Sequence, residues 1–326
     1  MRIPLLAAVL TSACFAQSDT DRVFTFSEGT TPLAMQQIAN AVRTVPEITQ
    51  CYLDPNARTI AIHADAEQVN EAQWIFDQFN SPQALRSSSY AGTISGPANQ
   101  LRIYRLSYVQ KPQEYQEVMN AVRTVPGITR AFPFTDPNAI VLRAEVNQMA
   151  AADWLIQQLD QPGITPAQRA SQTFQTSIAQ IPEMAVIYVS NVSEPQAFQE
   201  LVNAIRVIPQ LTRVFPDTTK RAVTIGGTAD QVTLAQWLAG QLDKPAPLSA
   251  AQVTAAQAAP SGESAEIFFL PGTVSEDSFK QTVTTVRGAI ESKETFPCIS
   301  TRALVVRGTP QQLAQAGQIV AQASPR

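Results

Sequence analysis

The chain has few of the side chains that usually carry out chemistry. Across 326 residues it holds one histidine, three cysteines and only 15% charged residues. A structural zinc site usually takes four Cys or His ligands. Beyond the N-terminal leader only Cys51, Cys298 and His63 are available, too few to build one. His63 has no Ser, Cys or Asp set beside it in a nucleophile–base pattern. G-x-G-x-x-G, P-loop and H-E-x-x-H motifs are all missing, so no catalytic, cofactor-binding or metal-binding residue is assigned. Positive charge is short as well. Lys and Arg number 23 against 27 Asp and Glu, a net −4, where a nucleic-acid partner would call for a basic stripe. After the N-terminus no run of about 18 apolar residues occurs, so no transmembrane helix is expected. With 44% hydrophobic residues the chain can still build buried cores, and its length predicts two or three domains.

The N-terminus reads as an export signal. Arg2 precedes the apolar stretch IPLLAAVLTSA, and small residues at Cys14 and Ala16 place cleavage after Ala16, making residues 1–16 a signal peptide. Thr11-Ser12-Ala13-Cys14 is a degenerate lipoprotein box, so lipidation at Cys14 is the weaker alternative. Either route gives a periplasmic or secreted protein. Such a compartment permits disulfides. Cys51 and Cys298 occupy different columns of the repeat described next, so a Cys51–Cys298 bridge and two separately buried thiols both stay open.

What the chain does have is internal repetition. NAVRTVP at Asn40–Pro46 returns at Asn120–Pro126, then as Asn203-Ala204-Ile205-Arg206 and, more weakly, as Thr284-Thr285-Val286-Arg287. The offsets are 80, 83 and 81 residues, and Trp74, Trp154 and Trp237 follow them, with Gln318 in the fourth copy. Each copy opens on a short strand, as at Val23–Phe26 or Val186–Val189. A helix follows, opened by Pro32, Pro112 or Pro195. Its apolar stripe has the spacing i, i+3, i+4, i+7, as in Met35, Ile38, Ala39, Val42, and it stops near Pro46, Pro126 or Pro209. A hairpin comes next, turning at DPNA in Asp54–Ala57 and Asp136–Ala139. A last helix carries the Trp column. The fold class is therefore α+β: four tandem β-α-β-β-α modules, each a small three-stranded sheet with two helices on one face. They span residues 22–82, 101–162, 185–245 and 265–324. The spacers between them, rich in Ser, Ala, Pro, Gln and Gly, predict flexible linkers and beads on a string, with room for a short helix at Ala167–Phe174.

Several columns are candidates for function. Arg43, Arg123, Arg206 and Arg287 recur in all four copies, either as helix C-terminal cations or as an interface. Trp74, Trp154 and Trp237 are expected in the core. The column His63, Arg143, Gly226, Arg307 is expected on the solvent side of its strand. Asp54 and Asp136 belong to turns, and Asp160 and Asp243 to caps or linkers. Tyr52, Phe132, Phe215 and Phe296 share a strand column, and exposed rings there would suit a glycan ligand.

Some of these features carry a resemblance. A strand ends in small residues, as in Ile60–Ala64 and Val223–Thr228. A helix ends in Gln158-Leu159-Asp160 and again in Gln241-Leu242-Asp243. The fourth copy runs Leu304–Pro310 into its helix. This resembles the short periplasmic repeat domains on the N-terminal side of secretins, the outer-membrane channels of type II and III secretion and type IV pilus systems. The β-rich channel domain has no counterpart here, so the resemblance implies protein–protein contact rather than a pore. It implies no cofactor and no enzymatic activity. Its partners would be a secretin, pilus or envelope components, or copies of the chain itself as a homo-oligomer. A cell-wall or glycan-binding envelope protein is the alternative. A KH-type RNA module is excluded, since it needs a GXXG clamp and positive charge.

Overall fold

The computed structural model describes residues 19–81, 86–162, 170–244, 262–290 and 294–323, together with the backbone of 251–254. The leader, Cys14 and the cleavage position lie outside these residues. Packing divides the chain into two compact units, Met1–Arg86 with Tyr90–Gly96, and Ser87–Ser89 with Pro97–Arg326.

The first unit contains β1 (Thr20–Thr25), α1 (Pro32–Thr44), β2 (Gln50–Asp54), β3 (Thr59–Ala64) and α2 (Ala66–Phe79). Its antiparallel sheet has the order β1-β3-β2. Thr31 caps α1 by accepting from the Ala34 amide, and Pro32 takes a first-turn position where no donor is needed. The stripe Met35, Ile38, Ala39, Val42 is buried. In β3 only Ile60, Ile62 and Ala64 are buried, the alternation expected of a sheet with one covered face. Phe24 and Phe26 close on Phe76 of α2, with ring centroids 5.1 and 5.2 Å away. Each such buried ring contributes about 1.5–3 kcal/mol.

The second unit repeats this plan three times. Repeat two holds β4 (Ser88–Ser89), β5 (Gln100–Arg105), α3 (Pro112–Thr124), β6 (Arg130–Phe134), β7 (Ala139–Ala144) and α4 (Val146–Leu159). Repeat three holds β8 (Gln172–Gln175), β9 (Glu183–Tyr188), α5 (Pro195–Val207), β10 (Arg213–Asp217), β11 (Ala222–Gly227) and α6 (Ala229–Leu242). Repeat four holds β12 (Ala251–Thr254), β13 (Ser264–Phe269), α7 (Glu276–Ile290), β14 (Thr295–Cys298), β15 (Ala303–Gly308) and α8 (Pro310–Ala323). The sheets are ordered β4-β5-β7-β6, β10-β11-β9-β8 and β12-β13-β15-β14.

Two expectations are corrected here. Parts of the spacers are not free linkers: β4, β8 and β12 add a fourth strand to the sheet that follows, and Gln172–Gln175 is strand rather than helix. The bead-on-string picture also fails within the second unit. Val118, Met119, Val122 and Leu155 of repeat two share one core with Met184, Val186 and Tyr188 of repeat three. Leu201, Ile205 and Leu238 of repeat three share another with Ala265, Ile267 and Val305 of repeat four. Sheet and helix layers therefore alternate through repeats two to four. The sheets of repeats three and four are covered on both faces, so β9 and β11 are buried at every residue.

Candidate interaction surface

The junctions between successive repeats of the second unit combine one recurring Glu column with an arginine drawn from a different column at each junction. Glu117 of α3 points at the β10–β11 turn, where its carboxylate accepts the amides of Thr218 and Thr219 at 3.1 Å each and both hydroxyls at 2.5 Å. In the same column of the next repeat, Glu200 of α5 accepts the Ser300 amide of the β14–β15 turn at 2.9 Å. Cations answer from the sheet side. Arg213 donates to the Thr124 carbonyl at 2.9 Å, and Arg307 to the Ile208 carbonyl at 3.3 Å, each at the C-terminal end of the preceding repeat's helix. These are the orphan carbonyls and the negative dipole end of that helix.

Asp217 lies fully buried beside the first junction. Its Oδ1 accepts the Lys220 amide at 2.8 Å and lies 2.8 Å from the Thr219 hydroxyl oxygen, whose proton goes to Glu117 at the shorter distance. Burial, then its hydrogen bond with Glu117, pushes its carboxyl up to about 6, with Lys220 opposing. Burial also acts to raise Glu117, but hydrogen bonds from Asp217, Thr218 and Thr219 outweigh it and hold that group at about 2.

The Arg column does not form one common surface. Arg123 donates to the Ala131 carbonyl at 2.8 Å and Arg287 to the Thr295 carbonyl at 2.9 Å, each within its own repeat. Arg43 donates to Asn40 Oδ1 at 3.3 Å, and Arg206 is exposed. All three tryptophans are half-buried. Trp74 meets Tyr90 edge-on at 5.6 Å, Trp154 stacks on Phe174 of β8 at 5.4 Å, and Trp237 packs on the core of repeats three and four. Cys51 and Cys298 are free thiols, and burial raises both. Among the described residues no group of three His, Cys, Asp or Glu side chains is placed to hold a metal ion. No helix among them is long and apolar enough to cross a membrane.

The His63 column is corrected. It is most open in repeat one, where the His63 side chain is 39% exposed, against 16% for Arg307 in repeat four, and lies 2.9 Å from Asp21 and 3.4 Å from Asp19. Arg143 is buried and donates to the Ala98 carbonyl at 3.0 Å. Gly226 lies where an added Cβ would come within 3.0 Å of Val125 and 3.1 Å of Ile181, so the close approach requires glycine. In repeats three and four the preceding helices cover this face, which is why it is not solvated. The aromatic column divides in the same way. Tyr52 is 68% exposed, whereas Phe215 and Phe296 pack into the shared cores.

Two further columns brace loops: the Gln column escaped the sequence reading, whereas Asp160 and Asp243, read there as caps or linkers, are C-cap residues that also hold a loop. Gln68, Gln148 and Gln231 each donate from Nε2 to two carbonyls just past the preceding helix, and Gln312 to the Ile290 carbonyl. Asn80, Asp160 and Asp243 follow the second helix and hold the loop after the first strand. Asp160 accepts the amides of Ser107, Tyr108 and Val109, and Asp243 those of Ser190, Asn191 and Val192, at 2.7–3.0 Å. Both columns keep the repeat offsets, which was the signal available in the sequence.

Fold and junctions together define a tandem α+β repeat protein whose polar columns close one repeat on itself or on the next. Neither a family model nor a curated protein matches the sequence. Among solved structures the chain is similar to secretins. ExeD of Aeromonas hydrophila is 14% identical over 73% of this chain and 43% of that one, with a TM-score of 0.17. The N-terminal domain of the secretin XcpQ from Pseudomonas aeruginosa is 13% identical over 68% of this chain and 100% of that one, at 0.21. A Klebsiella pneumoniae type II secretion outer-membrane complex containing PulD is 14% identical over 77% of this chain and 37% of that one, at 0.18. The chain thus spans less than half of the ExeD and PulD chains.

Proposed function

We propose that the protein is a non-enzymatic, exported scaffold that acts through protein–protein contacts in the cell envelope, serving a secretion or type IV pilus assembly. The observation that carries this reading is where the repeated polar residues go. Glu117, Glu200, Arg213 and Arg307 bind one repeat to the next, and the Gln and Asp columns brace loops. Among the described residues the repeats keep their packing columns and share no polar cluster aimed at a small molecule. Small modules in series offer several surfaces to partners at once, and linked weak contacts reinforce one another. The glycan alternative has less support, because Tyr52 is exposed while Phe215 and Phe296 are covered. The test is site-specific photo-cross-linking in intact cells from exposed positions such as Tyr52 and Arg206, followed by fractionation. Discrete protein adducts in the envelope fraction support the scaffold. Cytoplasmic residence, or no adduct from any exposed position, refutes it.

A further inference from the structure

Repeats three and four show what covers this kind of sheet. A row of three residues crosses its outer face: Val186, Thr224 and Phe215 in repeat three, and Ile267, Val305 and Phe296 in repeat four. In both, the helix pair of the preceding repeat lies on the row and buries it. The same columns in repeat one are Val23, Ala61 and Tyr52, paired in the same register. There Val23 is 59% exposed and Tyr52 68%, two of the largest apolar exposures on the molecule. The first sheet therefore presents the covered face of this repeat without a cover.

A matching helix surface exists at the other end of the repeat series. The column of Glu117 and Glu200, which grips the next repeat, is Gln281 in α7, and the column of Val125 and Ile208 is Ala289. Gln281 and Ala289 are both exposed. The change from Glu to Gln fits the first sheet. In repeat three the turn offers amides and hydroxyls to a carboxylate. In repeat one the turn amides of Asn56 and Ala57 already donate to Asp54 Oδ1, at 2.9 and 3.0 Å, so this turn presents a carboxylate. Repeat three carries Asp217 in the same column, yet its Thr218 and Thr219 amides still reach Glu117. In repeat one Pro55 has no amide to offer and that of Asn56 is taken by Asp54, so an arriving side chain finds an acceptor, to which the amide of Gln281 can donate. His63 occupies the column of Arg307, which reaches the C-terminal carbonyls of the covering helix.

We infer that the outer sheet face of repeat one binds the α7–α8 helix layer of a second copy, repeating between chains the junction that joins repeats two to three and three to four. The inference rests on the scaffold reading and names one of its partners. The contact is heterologous, so chains add head to tail into filaments, or into rings where the rotation closes.

The test uses the chain from residue 17 to 326, followed by sedimentation velocity and light scattering over a concentration series. The mass is expected to rise with concentration. Tyr52→Lys blocks the sheet face and Ala289→Arg the helix layer. Each alone should stay at the single-chain mass, weakened by about tenfold or more, as for loss of a central contact. Circular dichroism and melting temperature should match the parent, since both positions are exposed. An equimolar mixture of the two variants should form a dimer and nothing larger, because one good face of each kind remains. A parent chain that is monomeric at every concentration overturns the inference, as does association that survives both substitutions or a mixture that stays monomeric while the parent associates. Envelope adducts to other proteins, with a monomeric parent, would remove the self-contact and leave the scaffold reading in place.

Discussion

The first sheet and the sheets of repeats three and four share columns, register and hairpins, yet they live in different environments. Outward along β3 run Thr59, Ala61 and His63, where β15 has Ala303, Val305 and Arg307. The first set is partly open to solvent, while Ala303 and Val305 are fully buried. Duplication copied the module but left its outer face free to take either role. The aromatic on the hairpin strand is common to both; what goes with the covered state is a Glu on the covering helix and an Arg that reaches that helix's terminal carbonyls. The same packing unit can thus stand as a terminal surface or as an internal layer.

The largest contrast should come from placing a charge in the row. Val186→Asp and Val305→Asp each bury an unpaired carboxylate and should cost about 4 kcal/mol or more. Val23→Asp, in the same column, should cost under about 0.5 kcal/mol. Urea unfolding of the three variants measures this, and equal costs would show that the faces are alike.

Next is the acid pair. Asp217 is raised in the folded state, so its contribution is complete below the ordinary aspartate range and disappears as pH rises through about 6. Glu117 acts oppositely, with its contribution present above its ordinary value and lost only as pH falls through about 2. Between pH 4.5 and 7 Asp217 sets the sign, and the second unit should lose about 1.5–2 kcal/mol, since each tenfold change in proton affinity is worth about 1.4 kcal/mol and part of the shift lies below pH 4.5. Thermal melts across that range should show the slope, and Asp217→Asn should flatten it.

Phe215→Ala and Phe296→Ala should each cost about 2–3 kcal/mol, against about 0.5 for Tyr52→Ala. Smallest is the loop brace. Asp243→Ala leaves three amides without their acceptor and should cost about 2 kcal/mol, while Asn80→Ala in the first unit, a neutral acceptor, should cost about 1. Hydrogen exchange at Ser190–Val192 would localise the effect.

Much of each module was legible in the chain. Pro at the first helical turn, the stripe Met35, Ile38, Ala39, Val42, the DPNA turns and the alternating return strand fixed a β-α-β-β-α unit, because local sterics and helical or strand periodicity act over a few residues. The Gln and Asp braces were legible too, as columns at the repeat offset, but they look like ordinary surface polar residues until their acceptors and donors are placed. What encloses the outer sheet face was not legible. Arg307 and His63 occupy one column, and alternation says only that they face away from the module's own helices. Whether that face meets water or another repeat depends on contacts about 100 residues apart in sequence, such as Glu200 with Ser300. The sequence determined the module and its repetition, since those follow from short-range pattern. Only the tertiary structure decided that modules two to four share cores while the first sheet stays open, since burial depends on which distant surface arrives to exclude the water.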